Sequence, residues 1–144
     1  ELELANNEIM ILEPEQSNIF WEKTRSLEVF SNLKDNLLRI VVPSTEVFEI
    51  INKLKIYDIK YFVDWGGNLI WVQIEKIDTK ILKKIKEIIS VAKGYVTAIK
   101  IEENLKASID VFTIDPIKYK ITEKIKKSFD PKRILNPGKM YSGI

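Results

Sequence analysis

The run Leu37-Leu38-Arg39-Ile40-Val41-Val42-Pro43-Ser44 opens the stretch of sequence that decides the fold, residues 37–101. Leu37–Val42 is apolar apart from Arg39 and rich in β-branched residues, and Pro43 ends it, which predicts a buried strand. Ser44 is a favourable N-cap with Glu46 in the first turn. Val47, Ile50, Ile51 and Leu54 then recur at i, i+3, i+4 and i+7, which predicts an amphipathic helix over 45–55. Ile59–Trp65 and Asn68–Glu75 read as two strands joined at Gly66-Gly67, a hairpin turn signal. In the second, Leu69, Trp71 and Gln73 share one face, and Ile70, Val72 and Ile74 share the other. Asp78 caps a helix over 79–93 whose stripe is Ile81, Leu82, Ile85, Ile88, Ile89 and Ala92, with Gly94 as its C′ glycine. Tyr95–Ile101 alternates as a last strand. The order β-α-β-β-α-β is a split βαβ unit. It predicts an α+β, ferredoxin-like fold: a four-stranded antiparallel sheet with two helices on one face.

Outward from this core, residues 1–36 read as an N-terminal arm and helix, and 102–144 as a C-terminal helix and tail, all in one domain. Residues 1–12 alternate around Asn6-Asn7. Pro14 opens a helix, favoured by Glu13 and Glu15 at its positive end, that follows Ile19, Phe20, Lys23, Thr24, Leu27 and Phe30 to about Ser31-Asn32. Residues 102–115 read as a polar loop with an apolar patch of Ile109, Val111, Phe112 and Ile114. Asp115 caps a third helix with Pro116 at N1. Ile117, Ile121, Ile125 and Phe129 stand at steps of four on it, and Asp130-Pro131 stops it. The tail beyond is too broken by Pro and Gly to form an element.

Composition removes several kinds of chemistry. The chain has 144 residues, 45% hydrophobic, enough to build a core. With no Cys there is no disulfide, thiolate nucleophile or thiolate metal site, and with no His the usual general base near neutrality is missing. Carboxylate, Lys and Tyr chemistry stays open. Neither a Walker-type nor a dinucleotide-type glycine loop occurs. No run is long and apolar enough to span a membrane, and Glu1-Leu2-Glu3-Leu4 is not a secretory leader, so a cytoplasmic domain is expected. Tyr95 is the only aromatic where an RNA-recognition sheet needs a pair, so nucleic acid is not the expected partner. Residues 1–75 hold 7 basic and 13 acidic side chains, and residues 76–144 hold 16 and 8. This polarity fits docking to another surface, or two solvated helix faces. Trp65 and Trp71 make either an aromatic binding face or part of the core.

The string Phe129-Asp130-Pro131-Lys132-Arg133-Ile134-Leu135-Asn136-Pro137-Gly138-Lys139 resembles the C-terminal signature of FAD-linked oxidases of the vanillyl-alcohol oxidase type. Phe20-Trp21-Glu22-Lys23-Thr24-Arg25, Leu38-Arg39-Ile40-Val41-Val42-Pro43 and Asp64-Trp65-Gly66-Gly67-Asn68-Leu69-Ile70-Trp71 are similar to a helix, a strand and a hairpin of the glycolate oxidase FAD-binding subunit, GlcE. Lys93-Gly94 stands where that family has Gly-Gly. The resemblance implies the C-terminal, substrate-side cap domain of a flavoenzyme that oxidises a 2-hydroxy acid. It further implies an FAD-binding lobe preceding this region, other glycolate oxidase subunits as partners, and membrane association only through them.

The expected division of labour is FAD in the complete enzyme and neither tight flavin binding nor oxidase activity in this chain alone. Asn136, Gly138 and Lys139 become candidate contacts to the flavin or its lobe, or else simply a tight turn. Arg25, Arg39, Trp65 and Trp71 become candidate substrate residues, because a planar guanidinium suits a carboxylate. Each Arg could equally serve a surface ion pair. An apolar surface is expected near the tail and the sheet's open face, covered by the lobe or by self-association. The competing function is a stand-alone ferredoxin-like interaction or ligand-sensing module.

Overall fold

A computed structural model describes residues 11–30, 36–106, 108–113, 115–139, 141 and 144. Residues 1–10 of the arm expected over 1–12, and Ile114 in the apolar patch, lie outside them. The chain forms two compact units, residues 1–31 and 32–144.

In the first unit, α1 spans Pro14–Arg25, with Pro at its first turn and a reciprocal capping box between Glu13 and Gln16. It stops short of the expected end near Ser31-Asn32. Leu27 takes a left-handed φ of 58°, and Glu28 and Leu27 donate their amides to the carbonyls of Lys23 and Thr24. That is a Schellman stop built without glycine. The apolar spacing through Leu27 and Phe30 therefore outruns the helix.

The second unit contains β1 (Asn36–Val41), α2 (Val47–Leu54), β2 (Ile59–Asp64), β3 (Leu69–Ile74), α3 (Thr79–Val91), β4 (Tyr95–Lys100), the single turn α4 (Glu103–Lys106) and α5 (Pro116–Phe129). The strand order is β2-β3-β1-β4, and every neighbouring pair is antiparallel. This is the expected α+β, ferredoxin-like sheet. Leu38, Ile40, Ile70, Val72, Ile74 and Val96 fill its core face against Ile50 and Leu54 of α2 and Leu82, Ile85 and Ile89 of α3. The period-2 and period-3.6 apolar patterns meet there. Buried Asn36 ties the end of this sheet together: its amide donates to the carbonyls of Ile74 and Glu75, and its Oδ1 accepts from the Glu102 N–H.

Three local expectations change. Ser44–Glu46 is a tight 3-10 turn whose N-cap position falls on Pro43, and α2 follows with Glu46, not Ser44, at its N-cap. The left-handed residue after α3 is Lys93 (φ 55°), not Gly94. Gly94 is required for space: a Cβ there would lie 2.7 Å from the Val41 carbonyl and also strike the Val42 side chain. Finally, residues 111–113 are not loose loop. They lie along the outer edge of β4 through a Thr97–Phe112 bridge, with Ala98 N–H to Val111 O at 2.8 Å and Thr113 N–H to Val96 O at 2.9 Å. Lys86 of α3 holds this strap, donating to the Asp110 carbonyl at 2.6 Å. Burial pushes the Lys86 ammonium's pKa down, partly offset by Asp110.

Candidate functional site

The sheet face away from α2 and α3 carries a row set by strand register. Phe62 of β2 pairs with Trp71 of β3, Trp71 with Arg39 of β1, Arg39 with Thr97 of β4, and Thr97 with Phe112 of the strap. All five side chains are half-buried. The face is not bare on either side of the row, because Leu37, Leu69 and Gln73 are buried on it.

The β2–β3 hairpin brings Trp65 to the same place. Its loop runs through three consecutive left-handed residues, Trp65 (φ 54°), Gly66 (φ 61°) and Gly67 (φ 94°). The two glycines adopt this freely, whereas a bulky Trp at positive φ is strained. The Asp64 carboxylate accepts the Trp65 N–H at 2.7 Å and holds the bend. The indole is 61% exposed, so Trp65 does not fill the core. Instead the Arg39 guanidinium lies over its ring, 5.0 Å from the centroid. This cation–π contact orients the guanidinium without neutralising it. Among the described residues Arg39 thus has an aromatic partner and no ion pair, the other expectation.

Arg25 belongs to the other unit. It is exposed in the last turn of α1, downstream of the edge-to-face pair Phe20–Trp21, whose rings are 5.4 Å apart. Three of the four candidate substrate residues, Arg39, Trp65 and Trp71, therefore share one sheet face. Phe62 and Thr97 join them only through register, which sequence spacing does not reveal.

The C-terminal candidates sit elsewhere in the second unit. Asn136 (φ 46°) and Gly138 (φ 67°) shape a turn in which Gly138 N–H donates to Ile144 O and Lys139 N–H to Asn136 O. A Cβ on Gly138 would meet nothing within 4 Å, so this glycine serves the backbone angle rather than a close approach within the chain. The Gly138 and Lys139 amides are used internally, and the Lys139 side chain is exposed. An open groove of about 860 Å³ runs between the end of β4 and Pro137–Lys139. Its rim mixes Lys100, Lys106 and Lys139 with Glu102 and Glu103, so it favours no single charge, and Arg39 does not line it.

One residue read only as a helix stop proves to organise this region. Asp130, 5% exposed, accepts the amides of Ile134 at 3.1 Å and Leu135 at 2.9 Å and pairs with Lys126 at 2.7 Å. The Lys126 partner, with these amides, holds its carboxyl at a pKa of about 2. Around it the apolar side chains point outward. Ile117, Ile121 and Ile125 of α5, then Phe129, Ile134 and Leu135, are all exposed, Phe129 to 84%. The apolar surface expected beside the tail is present.

Residues 111–140, which include the strap, α5 and most of the tail, match the family model described as FAD linked oxidases, C-terminal domain. No curated protein and no solved structure matches the chain. The family match supports an FAD-linked oxidase C-terminal domain, a class whose complete enzymes carry FAD and which implies an FAD-binding partner domain. Among the described residues, however, no glycine loop opens onto the start of a helix of useful length, and the Ile134, Leu135, Gly138 and Lys139 amides of the tail are bonded within the chain. What the chain does offer is one guanidinium on an aromatic floor. No described helix is long and apolar enough to cross a membrane.

Proposed function

We propose that this chain is the C-terminal cap domain of an FAD-dependent 2-hydroxy acid oxidase of the glycolate oxidase FAD-binding-subunit (GlcE-like) kind, inactive by itself. One observation carries the reading: Arg39 lies over the exposed Trp65 in register with Trp71, a charged group held on an apolar floor. Once the partner lobe covers it, such a floor strengthens a guanidinium–carboxylate contact. Arg39 binds the substrate carboxylate, and Trp65 and Trp71 wall the small acid in. Arg25, in the other unit, is retained only as a separate candidate anion contact. The flavin, carried by the partner lobe, supplies the redox chemistry. Asn136, Gly138 and Lys139, with the exposed stripe of α5, meet that lobe. Other oxidase subunits and a cytoplasmic setting accompany this reading.

The test mixes the chain with the flavin-loaded FAD-binding lobe of such an oxidase and follows flavin absorbance on adding glycolate. Bleaching that requires the chain, and an Arg39→Met variant whose kcat/KM falls about 10- to 100-fold, are expected from losing one charged hydrogen-bond partner. Unchanged bleaching with Arg39→Met contradicts the substrate role. A chain purified alone with stoichiometric flavin contradicts the division of labour. Absence of any effect of the chain favours the stand-alone ferredoxin-like module instead.

A further inference from the structure

We infer that Asp130 is a positioning residue: it pins the tail back onto α5 so that Ile134 and Leu135 extend the helix's apolar stripe into one surface for the FAD-binding lobe. This rests on the proposed cap function and goes a step beyond it, because Asp130 itself does not lie on the surface.

Polarity gives the first argument. Asp130 and Lys126 are 5% and 17% exposed, while the apolar Phe129, Ile134 and Leu135 around them are 61–84% exposed. A fold arranged only for its own stability does the reverse, burying the hydrocarbon and solvating the charges. Here a nearly buried ion pair holds apolar side chains out in water.

Helix electrostatics give the second. A carboxylate at the C-terminal end of α5 faces the negative end of the helix dipole and cannot donate to the last carbonyls. The Asp130 side chain therefore does not cap the helix; it is tied to α5 only through the i, i+4 pair with Lys126 among the described residues. All its carboxylate hydrogen bonds among the described residues run to Lys126 and to tail amides.

The third is that both backbone polar groups of one residue, Leu135, are gripped. Leu135 gives its N–H to Asp130, and its carbonyl accepts from Lys126 Nζ, the same ammonium that pairs with Asp130. Holding both groups fixes which way the Leu135 side chain faces. The Arg133 N–H closes the intervening turn onto the Asp130 carbonyl at 3.0 Å, and a 3.7 Å Arg133–Glu123 pair adds a second tie to α5.

The experiment compares the full-length wild-type chain with Asp130→Asn and Asp130→Ala. It reads amide hydrogen exchange and association with the flavin-loaded FAD-binding lobe. In the free chain, the Ile134 and Leu135 amides are expected to exchange about 10- to 100-fold faster in Asp130→Ala, with Asp130→Asn intermediate because it keeps one acceptor. The core amides of Ile40 and Ile70 are expected to keep wild-type protection, since the tail opens locally. Association with the lobe weakens in the same order.

Unprotected Ile134 and Leu135 amides in the wild type overturn the inference, whatever the cap function. So does loss of protection in the variants with undiminished association. Lys126→Met provides a second variant: it releases the Leu135 carbonyl and leaves the sheet intact. Its failure to speed exchange of the Leu135 amide also counts against the clasp. A wild-type chain that shows the clasp but does not associate with the lobe overturns the docking role, and with it the cap reading, while leaving the clasp itself established.

Discussion

Helices α3 and α5 carry the same kind of apolar repeat and use it in opposite ways. In α3, Ile85 and Ile89 are fully buried against the sheet. In α5, Ile117, Ile121, Ile125 and Phe129 follow helical spacing just as faithfully, yet no described residue of that helix is buried. The helix inside the family match is therefore built around a surface, and the helix packed on the sheet around a core. Periodicity shows that a helix has an apolar face; it does not show whether that face is covered by the same chain or by a partner.

The most demanding way to break this contrast is to delete the same atoms from both stripes. Ile85→Ala should cost about 2–5 kcal/mol of stability in chemical denaturation, the range for a buried large-to-small change. Ile121→Ala should stay within about 0.5 kcal/mol, as for a surface site. Equal losses would show that α5 is packed within the chain.

A second test probes how tightly the buried half is closed. Gly94→Ala forces a Cβ against the Val41 carbonyl, backbone that cannot swing away as a flexible side chain would. A loss of about 1–3 kcal/mol is expected, and a neutral result would mean that the α3–β4 connection yields. One residue earlier the sign reverses. Lys93 sits at φ 55°, so Lys93→Gly should raise stability by about 0.5–1 kcal/mol through relief of left-handed strain, less the entropy glycine adds to the unfolded chain.

The smallest effect in the series concerns the exposed half and pH. Asp130 falls from its ordinary 3.8 to about 2 because Lys126 and the Leu135 and Ile134 amides favour the carboxylate. A depressed acid stabilises the fold above its unfolded pKa, and that contribution fades as pH drops through its folded value. The Ile134 and Leu135 amide resonances should therefore hold steady above about pH 4 and move with a midpoint near 2. Among the described residues, Lys126 is the charged side chain that pairs with Asp130. A midpoint at the ordinary value would show that the clasp does not form in solution.

Much of the fold was legible in the sequence because burial writes itself into residue order. Leu37–Val42, the β2–β3 pair with its two faces, the Asp78 and Asp115 caps and the six-element order all follow from local patterns. What was not legible depends on register or on backbone signs that side chains conceal. Leu27 ends α1 and Lys93 ends α3 in conformations normally signalled by glycine. The strap at 111–113 pairs with β4 although it reads as loop. Arg39 and Trp65 are far apart in the chain and meet only because the hairpin folds its corner over β1. Asp130 looked like punctuation because Pro131 follows it, and only the folded tail gives its carboxylate something to hold.

The most direct test of the central claim, that α5 presents its apolar stripe to an FAD-binding lobe, is sedimentation of the wild-type chain and an Ile121→Asp/Ile125→Asp variant with that lobe. The account predicts that the variant unfolds at the wild-type denaturant midpoint and no longer associates, while the wild type does. Undiminished association by the variant, or a variant destabilised by about 2 kcal/mol or more as for an interior charge, would contradict it.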